Sequence, residues 1–147
     1  MSKVSAIYHI VICTYMRRMT IPEEHKRELY GYIYGILKNN RCILYRMNGI
    51  GNHIHLLINL HPSISLSAIV QSIKQSSSRW MKNNPNFPLF ESWGKEYFAF
   101  SVGKDHSEKI IEYIKNQEKH HQTAECENEL KTLCYEEDVE WHDNALT

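Results

Sequence analysis

Two runs of strand-forming residues, CILYRMN (42–48) and HIHLLINL (53–60), flank the turn sequence NGIGN (48–52). Asn-Gly followed by Gly-Asn turns a chain back on itself, so the two runs are committed to an antiparallel β-hairpin. Alternate side chains of a strand share a face. His53, His55, Leu57 and Asn59 therefore point one way, and Ile54, Leu56, Ile58 and Leu60 the other. The second set makes a continuous apolar surface that helices must cover. With 147 residues in all, the chain has room for one such domain and not two ordinary ones.

The remaining segments complete a recognisable order. VSAIYHIVICTY (4–15) is rich in β-branched and aromatic residues and predicts a strand apolar on both faces. Pro22 and the pair Glu23–Glu24 open a helix running to about Lys38. Pro62–Ser63 begins a second helical stretch with Leu66, Ile69, Ile73 and Trp80 along one stripe. After the breaker NNPNFP (83–88), EYFAFSV (96–102) predicts the fourth strand. Asp105 and Glu108 form a potential capping box for a last helix over about 106–121. The order β-α-β-β-α-β-α is the ferredoxin-like, RRM-like split βαβ plan with one extra helix: an α+β fold with an antiparallel sheet and helices on one face. The other face is expected to be open for a ligand. RNA-recognition domains share this plan, so it does not fix a function.

Composition narrows the classes further. Residues 1–121 carry 16 Lys/Arg against 9 Asp/Glu, whereas residues 122–147 carry 1 against 8, so a zero net charge hides a basic body and an acidic tail. Such a body suits a polyanionic partner, although both surfaces are also compatible with ordinary solvation. No apolar run reaches the roughly 18–20 residues of a membrane span, and no secretory leader is expected in MSKVSAIYHIVIC. Four cysteines without a CxxC pair read as reduced, packed residues of a cytoplasmic protein. A zinc site built from His120 or His121 with Cys126 and Cys134 matches no common spacing.

The sharpest chemical signal is His53-Ile54-His55. Two imidazoles about 7 Å apart on one strand face can converge on one cation, or can simply be two surface histidines. A histidine-triad hydrolase would need a third His where Leu57 stands, and HxH amidohydrolases need a barrel too large for this chain. A metal held by two imidazoles needs a further ligand from another element. On the last helix Tyr113 and Gln117 are four apart, hence neighbours on one face, with His106 and His120 on the same side. A Tyr so placed is as readily a packing residue.

Taken together, YHIVICTYMRR, GNHIHLLI, FESWGKEYFAFSVG and EYIKNQ resemble the HUH single-tyrosine transposases of insertion sequences of the 200/605 type, including the relatives associated with repeated palindromic elements. The resemblance runs from about Ile7 to His121, a catalytic domain over 1–121, and leaves 122–147 as an acidic C-terminal tail of open role. It implies that His53, His55 and Gln117 hold a divalent cation, Mg²⁺ or Mn²⁺, and that Tyr113 attacks a DNA phosphate. It also implies a substrate of single-stranded DNA hairpins at element ends, a 5′-phosphotyrosine product with a free 3′-hydroxyl, and a homodimer whose tyrosine helix can serve the partner's histidines. No nucleotide cofactor is expected, in keeping with the lack of a GxxxxGK[ST] loop. Arg17, Arg18, Lys74, Arg79 and Lys82 are candidate phosphate contacts, with Trp93 or Tyr97 available for base stacking. The alternative is a non-catalytic, domesticated binder of hairpin DNA or of RNA on the same fold. The acidic tail, following directly on the Tyr113 helix, is a candidate restraint on the site.

Overall fold

The computed structural model describes residues 3–120 and 126–141, the side chain of His120 excepted. Its strands are β1 (Ile7–Thr14), β2 (Ile43–Ile50), β3 (His53–Asn59) and β4 (Trp93–Val102). Its helices are α1 (Lys26–Asn39), α2 (Leu66–Lys82), α3 (Ser107–Lys115), α4 (Gln117–His120) and α5 (Cys126–Glu136). The four strands form one sheet in the order β2-β3-β1-β4, antiparallel throughout, as the α+β reading requires.

The alternation in β3 sorts the two faces. Ile54, Leu56 and Ile58, joined by Ile10 and Ile12 of β1, pack under α1 and α2. Leu29, Ile33 and Leu37 form the buried stripe of α1, and Ile69, Val70, Ile73 and Met81 that of α2. Trp80 stacks on Tyr32 at 4.8 Å. Trp93 is buried with its indole N–H on Ser77 Oγ at 2.9 Å, so it is core and not a stacking platform for bases. Tyr97 is half-buried against the same cluster.

Local chemistry moves several boundaries. α2 starts at Leu66 because Ser65, rather than Pro62–Ser63, caps it, its Oγ accepting from the Ala68 N–H at 3.1 Å. The Asp105–Glu108 capping box does not form; a 3-10 turn over Lys104–His106 leads into α3 without a side-chain cap. The helix expected over 106–121 breaks at Asn116 into α3 and α4.

The second sheet face carries helices too. Ile110, Ile111 and Ile114 of α3 pack on Ile7 and Leu57. Cys126, Leu130, Leu133 and Cys134 of α5 pack on Val11, Cys13 and Phe100. The face that alternation leaves for a ligand is thus roofed, partly by the acidic tail. All four cysteines are free thiols and buried.

The turn between β2 and β3 shrinks to Gly51–Asn52, and Gly49 lies inside the ladder. A Cβ on Gly49 would sit 2.2 Å from the His53 carbonyl oxygen, which is backbone and cannot swing aside. Gly49→Ala is therefore expected to destabilise the fold by about 1–3 kcal/mol in urea titration, as overpacking does. Gly31→Ala, on an open stretch of α1, should stabilise it by about 0.5–1 kcal/mol.

Candidate active site

The two imidazoles of β3 are held from behind so that their Nε2 atoms face a common space. His53 Nδ1 lies 2.8 Å from Asn52 Oδ1, and an oxygen there can only accept, so the proton sits on Nδ1. His55 Nδ1 lies 2.7 Å from Nε2 of His9, a buried side chain of β1 whose ring stacks on His55 at 5.0 Å. Burial first, and His55 second, push the His9 pKa down to about 3, so His9 is neutral and its Nε2 can accept a hydrogen bond from the His55 Nδ1–H. Both Nε2 atoms are thereby turned toward the same side, the orientation that such supporting contacts give histidines in metal sites.

The tyrosine and glutamine arrive on either side of the α3–α4 break. Asn48 of β2 donates from Nδ2 to the Lys115 carbonyl at 3.1 Å and to Glu118 Oε2 at 3.2 Å. The buried ammonium of Lys26 reaches Glu118 Oε1 at 2.6 Å and the Gly49 carbonyl at 3.2 Å. Partial burial works against the Glu118 charge, yet Lys26 and Asn48 hold its carboxyl below the ordinary range. This clamp fixes the end of α3 to the sheet and turns Gln117, fully buried, inward until its Oε1 is 3.2 Å from His53 Nε2. Tyr113 lies over His55 at 5.8 Å between ring centroids.

At the centre of these groups stands Glu129 of α5, a residue the sequence reading did not single out. Its Oε1 is 3.2 Å from His53 Nε2 and 3.1 Å from His55 Nε2. Its Oε2 accepts from the Tyr113 hydroxyl at 2.5 Å and from Gln117 Nε2 at 3.1 Å. Donor atoms of His53, His55 and Glu129 all lie within 4.8 Å of one another, a set compatible with a divalent metal ion. Burial, followed by the Glu129 carboxylate, pushes the Tyr113 phenol well above its ordinary pKa. For His53, burial opposes the charged form, but Cys126 and Glu129 outweigh it and raise the pKa to about 9.

The signal for Glu129 was present in the sequence. Cys126, Glu129, Leu130, Leu133 and Cys134 fall at i, i+3, i+4, i+7 and i+8, a single helical stripe that buries a carboxylate among apolar residues. His9 had a comparable signal, since it alternates with Ile10 and Ile12 and so shares the sheet face of His53 and His55.

The candidate DNA contacts do not gather in one place. Arg17, in left-handed backbone at φ 56°, pairs with Glu127 of α5 at 3.3 Å, beside the site. Arg18 pairs with Glu91 and lies 5.4 Å from the Tyr15 ring centroid. Lys74, Arg79 and Lys82 ride on α2, which packs on the opposite sheet face from the imidazoles. Lys74 donates to the Lys95 carbonyl at 3.2 Å. His106 is exposed beside Asp105. His121 lies outside the described residues, so a zinc set with His120 or His121 does too. No helix among the described residues is long and apolar enough to cross a membrane.

Comparison with known proteins gives this chain a family. Residues 2–117 match the family model described as transposase IS200 like. The transposases for insertion sequence element IS200 from Salmonella typhimurium and Salmonella typhi are each 27% identical over 115 residues, covering 75% of this chain and 75% of theirs. Among solved structures, a REP-associated tyrosine transposase bound to a REP hairpin superposes with a TM-score of 0.64 at 13% identity, over 82% of this chain and 74% of that one. A chain from Deinococcus radiodurans R1, provisionally designated a transposase, gives 0.59 at 22% identity over 80% and 95%. This chain belongs to the IS200-like transposase family.

The support that His9 gives His55 makes a specific prediction. His9→Phe should preserve the far-ultraviolet circular dichroism while weakening Mn²⁺ binding by about tenfold or more in calorimetry, the usual scale for loss of a supporting contact.

Proposed function

We propose that this IS200-like transposase is a single-tyrosine strand transferase of the HUH type, acting on hairpin-bearing single-stranded DNA. The observation that carries the reading is that Tyr113, Gln117, His53 and His55 converge within one chain, all four on the Glu129 carboxylate. Family membership supports DNA cleavage and rejoining as the reaction class. A fold shared with a relative bound to a REP hairpin supports a hairpin as the substrate.

Each residue then has a role that follows from its chemistry. Tyr113 Oη forms a bond to phosphorus as the bond from phosphorus to the 3′ oxygen breaks. The phenol gives up a proton and the departing oxygen takes one up, leaving a 5′-phosphotyrosine and a free 3′-hydroxyl. The exchanged ester keeps the energy of the original, so rejoining is the same step reversed and needs no nucleotide cofactor. A phenol with its ordinary pKa near 10 is ionised about once in a thousand molecules at pH 7. Here burial and Glu129 hold it still more firmly protonated, so activation has to come with the substrate. His53, His55 and Gln117 would hold Mg²⁺ or Mn²⁺, which supplies neutralisation and orientation of the scissile phosphate.

Arg17 and Arg18, at the end of β1, are the cations best placed to meet DNA entering the site, and Arg17 is already paired to the helix that roofs it. Lys74, Arg79 and Lys82 would serve a strand that continues around the sheet. In this reading the working species is a cytoplasmic homodimer.

Tyr113→Phe should retain hairpin binding in a gel-shift assay and lose both cleavage and the covalent protein–DNA adduct; an adduct formed by the Phe variant excludes Tyr113 as the nucleophile. His53→Ala or His55→Ala should also abolish cleavage. Wild-type protein treated with a chelator should stop cutting and resume on addition of Mn²⁺. A wild type that binds the hairpin but never cleaves it under Mn²⁺ would favour the binding-protein alternative.

A further inference from the structure

We propose that Glu129 is itself a ligand of the active-site cation, so that the acidic helix α5, outside the segment that matches the family, supplies part of the metal site and is latched over it when the ion binds. The inference rests on the metal-dependent reading above and extends it. The family match ends at Gln117, whereas Glu129 lies twelve residues further on.

Three features of the geometry carry it. The first is spacing. Neighbouring ligands on an octahedral ion with bonds of roughly 2.1 Å stand about 3.0 Å apart. Glu129 Oε1 is 3.1 Å from His55 Nε2 and 3.2 Å from His53 Nε2, and Gln117 Oε1 is 3.2 Å from His53 Nε2. The second is preorganisation: Asn52 and His9 bind the rear nitrogens of the two histidines, leaving both front nitrogens to face the carboxylate. The third is charge. Two imidazoles and an amide are a neutral set, softer than Mg²⁺ prefers, and one carboxylate adds both a hard oxygen and a negative charge.

The position of Glu129 on its helix points the same way. A carboxylate on the apolar stripe of α5, 7% exposed between Cys126 and Leu130, is costly to bury without a compensating positive charge. Around it stand the two histidines, the Tyr113 hydroxyl and the Gln117 amide. Its two oxygens are also divided: Oε1 faces the imidazoles, while Oε2 holds the nucleophile and the amide. A cation on Oε1 would therefore be one carboxylate away from the Tyr113 oxygen. It would also tie α5, whose Leu130 and Leu133 pack on Val11, Cys13 and Phe100 of β1 and β4, to the histidines of β3.

The test uses full-length protein and Mn²⁺ alone, without DNA. Calorimetric affinity and hydrogen exchange of the α5 amides are measured for wild type, Glu129→Gln, Glu129→Ala and the His53→Ala/His55→Ala double variant. Both Glu129 variants should bind Mn²⁺ about tenfold or more weakly. Mn²⁺ should slow exchange in α5 of the wild type and leave it unchanged in the variants. Glu129→Gln keeps the shape of the side chain, so a loss of affinity there cannot be assigned to misfolding when its circular dichroism is intact. Unchanged or tighter Mn²⁺ binding by Glu129→Gln overturns the inference, because the carboxylate would then be competing with the ion for the histidines. If the double histidine variant binds Mn²⁺ as well as wild type does, the metal site of the proposed function is itself wrong, whatever Glu129 does.

Discussion

Everything in this molecule depends on how β3 divides its side chains. Paired on both sides, by β1 and β2, the strand has no edge in solvent, and both its faces are buried. One face is isoleucine and leucine and costs nothing to bury. The other holds two imidazoles, which a buried position tolerates only if each nitrogen finds a partner. Asn52, His9, Gln117 and Glu129 are those partners, drawn from the turn, β1, α4 and α5. The need to satisfy two buried histidines thus recruits most of the second layer.

The layout of that half of the fold was legible where the pattern was local. Period-two alternation in 53–60, the Asn-Gly turn and the apolar stripes of α1 and α2 gave strands and helices close to those observed, because burial against a neighbouring face is what those patterns encode. Boundaries failed where capping decided them: Ser65 rather than Pro62 starts α2, and no side chain caps α3 where Asp105 and Glu108 suggested a box. Asn116 breaks the last helix because the clamp from Lys26 and Asn48 grips Lys115 and Glu118 from another layer, a long-range contact that local sequence does not reveal.

The candidate site was legible in the same uneven way. His53 and His55 announce themselves by spacing, and Tyr113 with Gln117 by their helical neighbourhood plus the family resemblance. Glu129 did not, because a carboxylate in a tail of eight acidic residues reads as solvated charge until its helical phase is worked out. Counting charge along residues 122–147 hid an acid that faces inward. Trp93 illustrates the opposite error: an aromatic residue offered to bases turned out to close the core, its N–H spent on Ser77.

The seam between α5 and the sheet also bears on where this protein can be divided. A chain cut at Gln117, the end of the family match, would strip Leu130, Leu133 and two thiols from Val11, Cys13 and Phe100. Those three side chains would become a wet, greasy window beside a cluster of buried imidazoles, the kind of patch through which a trimmed domain sticks to its neighbours. The same eleven-residue helix that would supply a ligand to the proposed ion thus also covers this apolar window.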